Sequence, residues 1–256
     1  MSRKFRWNTR LFWSDLAHVL RGGILAAMGC LFSLCGYIKT MTHVHINPDK
    51  LAHDKPPTDQ SAIWPLHPFR ALFVSQPGGG KRQTCLELIG RHPKPFDTIL
   101  VMHHDPKGTT EYQILGDQVK LIGEDDLPDP EYFDRSLRNL LVIDEINLAD
   151  KKPAQRKKFD RLFNYCSTHC SLSIIMQCQD AFTVPVSIRR AVNHWALWRS
   201  SDAFVLNTLG RRLGIKGLAS IYKELDLGAQ DHIWIDLSSN GPPLRKNITK
   251  IITVAD

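Results

Sequence analysis

Apolar and polar positions along this chain fall into two regimes. From about residue 63 onward, short uninterrupted apolar runs alternate with amphipathic stretches. Strands buried on both faces read as such continuous runs, because helices cover both sides of a parallel sheet. The runs at 70–75, 98–102, 139–144, 173–179, 194–198 and 232–236 are the candidate strands. Helices are expected through Cys85, Leu86, Leu88 and Ile89, through 159–163 and through 209–214, and a terminal strand is expected after Arg245. Stretches 108–112 and 124–130 read as loops, and no internal repeat is present. The pattern predicts a three-layer α/β domain over 63–256 with a mostly parallel central sheet.

The first sixty residues differ. Asn8 is placed to cap an amphipathic helix through Leu11, Phe12, Leu16, Val19 and Leu20, and an uncharged stretch follows at 23–38. That stretch is shorter than the about 20 residues a spanning helix needs, and it is dotted with glycine. Arg3, Lys4, Arg6, Arg10 and Arg21 precede it, as in a signal peptide or anchor, but no clear small-x-small cleavage pattern follows. The positive-inside rule would place the remaining chain outside the cytosol. Three readings stay open for this helical and apolar extension (1–40): a helix docking on a partner or a membrane surface, a membrane anchor, or an upstream extension with Met41 as the true start. Residues 41–62, rich in Pro, Asp, His and Lys, read as a linker.

Composition narrows the class. Of 256 residues, 43% are hydrophobic and 23% charged, which excludes a mainly disordered, collagen-like or multi-span membrane chain. The net charge of +7 suggests an anionic partner such as nucleic acid. Cys30, Cys35, Cys85, Cys166, Cys170 and Cys178 form no CxxC pair and read as buried thiols in a reducing compartment. Cys166, His169 and Cys170 share a helical spacing, but no second pair completes a metal site.

The chemistry sits at the ends of the predicted strands. The run 70–75 leads into Gln76, Pro77, Gly78, Gly79, Gly80, Lys81, Arg82 and Gln83, and then into a helix. A glycine-rich turn lets backbone N–H groups converge on phosphate oxygens, the helix start adds partial positive charge, and a lysine reaches the outer phosphates. The match to the G-x-x-x-x-G-K-[ST] pattern breaks twice: Ser75 stands at the first Gly and Arg82 at the metal-binding Ser/Thr. About sixty residues on, the run from Asn139 ends in Asp144 and Glu145. Together the two motifs point to a P-loop NTPase (RecA-like). In that chemistry the first acid, Asp144, holds Mg²⁺ directly or through water, and the second, Glu145, deprotonates the attacking water. The strand at 173–179 ends in Gln177 and Gln179, amides at the carboxyl end of a strand, where ligands of parallel sheets sit.

The order and spacing of these pieces resemble the genome-packaging ATPases of double-stranded DNA viruses and Maverick/Polinton elements. These poxvirus-type enzymes lie within the FtsK–HerA superfamily. The resemblance covers roughly 66–254. It rests on Lys81, on Asp144 and Glu145, on the turn Gln179, Asp180, Phe182, on 188–193 with the strand 194–198, on the basic helix 209–214, and on 232–236 with Arg245. It implies an ATP-driven, Mg²⁺-dependent pump for double-stranded DNA. It also implies a homo-oligomeric ring at capsid or portal-vertex proteins and a location at the site of virion assembly or in the virion. The family pattern selects Gln179 over Gln177 as the γ-phosphate sensor. It suggests Arg189 or Arg190 as an arginine finger for a neighbouring subunit, although DNA contact fits these residues as well.

Other features keep two readings each. Lys151, Lys152, Arg156, Lys157, Lys158 and Arg161 fit a solvated helix face or a DNA-phosphate contact. Trp195, Trp198 and Trp234 lie in strand-like runs and are expected in the core, with His103 and His104 in the core or at its rim. Arg82 has five donors and no acceptor, so it cannot ligate a metal. Weak Mg²⁺ affinity is therefore expected, with Arg82 pairing to a phosphate oxygen. A nucleotide-binding, capsid-associated protein without turnover, and a cellular or plasmid DNA pump, are the alternative functions.

Overall fold

A computed structural model describes residues 63–199, 202–238 and 244–252. The expected N-terminal extension and linker lie outside the described residues. The elements in chain order are β1 (Arg70–Val74), α1 (Lys81–Gly90), β2 (Thr98–Met102), a 3-10 turn (Glu111–Leu115), β3 (Val119–Ile122), β4 (Asn139–Asp144), α2 (Pro153–Arg161), β5 (Leu172–Cys178), α3 (Val186–Ala191), β6 (His194–Trp198), α4 (Ala203–Leu213), α5 (Leu218–Glu224), β7 (His232–Asp236), β8 (Leu244–Lys246) and β9 (Lys250–Ile251). Helix α2 runs on through a π-helical turn, Leu162–Cys166, to Ser167–His169.

The strands form one sheet in the order β3-β2-β4-β5-β1-β6-β7-β8-β9. The six from β3 to β6 in that order are parallel, and the remaining three are added antiparallel. This is the three-layer, mostly parallel architecture expected. Side chains alternate across the sheet, and both faces are covered. Ala71, Phe73, Leu140 and Val142 pack with Cys85, Leu88 and Ile89 of α1. Leu72, Leu141 and Ile143 pack with Phe159, Leu162 and Phe163 on the other side. Two-sided burial is why these strands carry apolar runs rather than a period-two pattern.

Two elements escape that rule. Strand β3 was not expected, because it lies at the sheet edge, exposes Lys120 and offers only a half-buried run. The stretch 108–112, read as a loop, instead enters the 3-10 turn and buries Tyr112 completely. Trp195, Trp198 and Trp234 are core residues as expected. Cys85, Cys166, Cys170 and Cys178 are buried free thiols. His169 is exposed and stacks on Tyr165, away from the buried Cys166 and Cys170.

At the end of the sheet opposite the motif loops, Asp236 organises a buried polar cluster. It accepts from Arg245 at 3.2 Å and from the Ser238 N–H at 2.9 Å, and lies 3.5 Å from His194 Nδ1. Arg245 also donates to the Ile63 carbonyl at 2.7 Å, tying the start of the described chain to β8. Burial pushes the imidazoles of His194 and His232 down from the ordinary 6.5 to about 4.

These imidazoles stay neutral in the fold but protonate in the unfolded chain below pH 6.5. Their contribution is therefore complete above that value and lost as pH falls toward 4. Each removes up to about 1.4 kcal/mol of stability per pH unit within the window. Urea unfolding should show markedly lower stability at pH 5 than at pH 7, and equal stability at both would contradict neutral burial.

Candidate functional site

Strand β1 hands the chain to the glycine-rich turn at the carboxyl edge of the sheet. The Ser75 N–H still donates to the Cys178 carbonyl at 3.1 Å, extending the β1–β5 ladder by one residue. The chain then turns sharply, with the Gly79 N–H on the Gln76 carbonyl at 3.2 Å. Gly80, at φ 99°, is the N-cap of α1, a left-handed conformation that a side chain resists. No side chain caps this helix, so the N–H groups of its first turn stay open toward the loop. Such a helix start is an anion site.

Ser75, which departs from the motif, is accommodated by its neighbour. A Cβ at position 79 would lie 1.9 Å from Ser75 Oγ and 3.2 Å from its Cβ. The hydroxyl donates to the Gln76 carbonyl at 2.8 Å, inside the turn. A side chain at position 79 would turn the Ser75 hydroxyl out of the turn and still press on the Ser75 Cβ and on the Gln76 carbonyl, 3.3 Å away.

Lys81 is buried at the first position of α1. Its Nζ donates to the Ser75 carbonyl at 2.8 Å and lies 3.2 Å from Glu145 Oε1. Glu145 follows β4 with φ 56°, in the sparsely populated left-handed region, and its N–H donates to the Gln177 carbonyl at 3.2 Å. This turn swings its carboxylate from the sheet toward Lys81. Backbone strain of this kind gathers at functional sites. Residues 77–83, Asp144, Glu145 and Gln177 line one groove of about 370 Å³.

Asp144 is held differently from the sequence expectation. Its Oδ2 accepts from Arg82 Nε at 3.1 Å and from the Tyr112 hydroxyl at 3.1 Å, and lies 3.1 Å from the second Arg82 nitrogen. Arg82 also reaches Glu111 at 2.7 Å. Gln177 donates to the Tyr112 oxygen at 2.7 Å. Burial, reinforced by Cys85 and Asp144, raises the Tyr112 pKa and keeps the phenol protonated as a donor. Burial opposes the Arg82 charge, but Asp144, Tyr112 and Glu111 outweigh it and hold its pKa above the ordinary value. Arg82 therefore pairs with Asp144 and Glu111, and its remaining N–H groups stay open to the phosphate oxygen expected as its partner.

The side chains at this position do not fit a Mg²⁺ site. Position 82 supplies no oxygen, and the Asp144 oxygen that faces it already carries a guanidinium and a phenol. Thr84, two residues on, is buried against the sheet side of α1. Direct ligation of the ion through Asp144 Oδ2 does not fit this arrangement; an ion held through water, the other form of the expectation, would not need that oxygen.

Of the two glutamines, Gln177 lies inside the groove and is fully buried. Gln179 is exposed beyond the strand and borders a neighbouring hollow of about 300 Å³ together with Glu145 and Asn147. Gln76, whose side chain is exposed, borders a different hollow with Gln179, Trp198 and Arg199. Arg189 and Arg190 do not reach the groove of their own chain. Both line a hollow with Trp195 and Arg212, and Arg189 lies over the Phe182 ring at 5.0 Å. Of the basic run, Lys151 pairs with Glu124 at 2.7 Å and Lys158 with Asp129 at 3.3 Å. Lys152, Arg156, Lys157 and Arg161 are exposed. Among the described residues no helix is long and apolar enough to cross a membrane.

Sequence reasoning missed Tyr112 and Glu111, and it took Gln179 as the functional amide with no role for Gln177. Nothing in the spacing around Tyr112 marks it, because its partners lie 32 and 65 residues away.

No protein-family model matches the chain, and no curated protein is similar to it in sequence. Solved structures are similar in fold. The DNA-packaging ATPase of Sulfolobus turreted icosahedral virus superposes with a TM-score of 0.53 at 11% identity, covering 73% of this chain and all (100%) of that one. The genome-packaging NTPase of Sulfolobus turreted icosahedral virus 2 in complex with sulfate gives 0.52 at 14% identity, over 73% of this chain and 98% of that one. Its complex with AMPPCP gives 0.50 at 12% identity, over 70% and 96%. The fold is shared at these identities.

The Ser75–Gly79 contact can be tested by a double substitution. Gly79→Ala should weaken nucleotide binding about tenfold, and in a Ser75→Gly background the loss should shrink to about threefold or less, because the clash partner is gone. Equal losses in both backgrounds, measured by fluorescent-nucleotide titration, would show that the two positions are independent.

Proposed function

We propose that the chain is an ATP hydrolase that drives double-stranded DNA through a homo-oligomeric ring, packaging a viral or virus-like genome into its capsid. One observation carries the reading. The uncapped start of α1, Lys81 and the Asp144–Glu145 pair meet in a single groove at the carboxyl edge of a parallel sheet. Ligands of open α/β sheets bind at this edge.

In this reading the N–H groups of residues 78–81 bind phosphate oxygens. Lys81 exchanges its carbonyl partners for phosphate, which frees Glu145 to accept the proton of the attacking water. Gln179 is the exposed amide beside Glu145 and contacts the terminal phosphate. Gln177 acts through Tyr112, whose hydroxyl it orients toward Asp144. Arg189 or Arg190 serves the groove of a neighbouring copy, since both lie away from their own. Lys152, Arg156, Lys157 and Arg161 are the exposed cations offered to DNA phosphates. Likeness in fold to two viral packaging enzymes supports this class. Assignment to the FtsK–HerA superfamily, to its poxvirus and Polinton branch, to capsid or portal partners and to the site of virion assembly rests on the motif resemblance.

A second reading, a nucleotide-binding and capsid-associated protein without turnover, is favoured by the Arg82–Asp144 pair. A cellular or plasmid DNA pump of the same superfamily would use the same groove.

The full chain should hydrolyse ATP faster with duplex DNA than without it. Glu145→Gln should keep ATP binding while turnover falls about a hundredfold or more. ATP binding without turnover in the wild type would favour the second reading, and wild-type turnover in Glu145→Gln would remove the glutamate from its role. DNA binding should show no sequence preference and weaken steeply between 50 and 200 mM salt, to about a thousandth or less if six or more phosphates are contacted. Salt-insensitive binding would contradict a backbone contact. Mixing Lys81→Ala with an Arg189→Ala/Arg190→Ala protein should restore part of the activity, and no restoration would argue against a finger acting between copies.

A further inference from the structure

The groove contains one charge that its motif does not call for. Arg82 stands where a hydroxyl normally ligates a divalent cation, and its guanidinium caps the carboxylate that would share that cation. We propose that Arg82 takes the place of the divalent cation, so that this groove binds nucleoside triphosphate in its metal-free form. The inference rests on the nucleotide-binding reading of the groove given above.

Three observations carry it. First, the Asp144 charge is already compensated. Two guanidinium nitrogens lie 3.1 Å from Oδ2, and the Tyr112 hydroxyl donates to the same atom at 3.1 Å. A cation approaching this oxygen would have to displace the guanidinium and would then face its positive charge at close range. Second, Arg82 is fixed from both sides, because Glu111 holds the other end of the fork at 2.7 Å. A planar guanidinium gripped by two carboxylates keeps its orientation. Third, Arg82 lines the groove beside Lys81 and is about one-third exposed. Its remaining N–H groups therefore stay available to an anion.

The charge count points the same way. Lys81 and Arg82 balance the two acids that line the groove, Asp144 and Glu145, without any added ion, while Glu111, half-exposed outside it, leaves the whole cluster one negative charge. The open N–H groups at the start of α1 then leave the loop attractive to phosphate. With a hydroxyl at position 82 the same groove would carry one net negative charge, and a divalent cation would be needed to offset it. The ligand class is thus a polyphosphate nucleotide whose outer oxygens meet Lys81 and Arg82 in place of a metal.

The test is a titration of the full chain with a fluorescent ATP analogue in EDTA and in millimolar MgCl₂, for wild type, Arg82→Thr and Lys81→Ala. Wild-type affinity should differ less than about threefold between the two buffers, while Arg82→Thr should bind at least about tenfold more tightly with Mg²⁺ than without it. Wild-type binding that needs Mg²⁺ by tenfold or more overturns the inference and leaves the nucleotide reading standing. A metal-independent Arg82→Thr protein overturns the role of Arg82. Binding that is absent in both buffers, or unaffected by Lys81→Ala, overturns the nucleotide reading itself. Mn²⁺ titration followed by electron paramagnetic resonance gives a readout on unaltered protein. Without nucleotide, Mn²⁺ should stay free in solution at tens of micromolar, and tight uptake sensitive to Asp144→Asn would defeat the proposal.

Discussion

Strand β4 is buried on both faces, so alternation of apolar and polar residues cannot set its register; its polar ends do. At one end the Asn139 amide donates to the Asp134 carbonyl at 2.7 Å. At the other, Asp144 meets Arg82 and Tyr112. A slip of one residue would bury Glu145 in the ladder and break both sets of bonds at once. Register fixed here propagates, because Asp144 pairs with Gln177 and Cys178 pairs with Val74. The acid pair and the glycine-rich turn consequently leave the sheet at the same level, separated by β5 and by two strand spacings, about 10 Å. That distance is what a lysine and two flanking side chains can close.

The two departures from the phosphate-loop pattern are each answered by a specific neighbour. A serine in place of the first glycine costs space, and Gly79 leaves that space open. An arginine in place of a hydroxyl adds charge, and Asp144 with Glu111 absorbs it. Removing Arg82 without adding a cation would leave a buried carboxylate with only a phenol as partner, a costly arrangement. The loop's shape and its charge balance are therefore separate properties, and a sequence can vary one while keeping the other.

Local sequence carried the loop, the acid pair and most of the strands, because each depends on contiguous residues: an apolar run, three glycines, a lysine, two acids. It did not carry the network behind them. Tyr112 lies in a stretch rich in turn-forming residues, and only the packing of the 3-10 turn against α1 brings its hydroxyl to Asp144. The different placing of Gln177 and Gln179 was equally hidden, since both lie near the end of one run and only packing buries Gln177 against Tyr112 while Gln179 stays exposed beyond the strand. Strand β3 was missed for a third reason. An edge strand buries one face partially, and four residues with an exposed lysine give no periodic signal.

The arginines divide into two groups with different reach. Arg82 is inside the groove and is locked by partners from its own chain. Arg189 and Arg190 line a separate hollow, where Arg189 and Arg212 share the Phe182 ring at 5.0 and 5.4 Å. Two guanidiniums on one aromatic ring repel each other, an arrangement that an anion or carboxylate from outside would relieve. Under the proposed function, the residues needed to hold a polyphosphate are complete within one chain. On the same proposal, Arg189 or Arg190, which lie away from their own groove, would stabilise the charge that develops during its cleavage on another copy. Binding would then be a property of the single chain and turnover a property of the assembly. Such a separation would let the groove stay loaded until neighbours are in place.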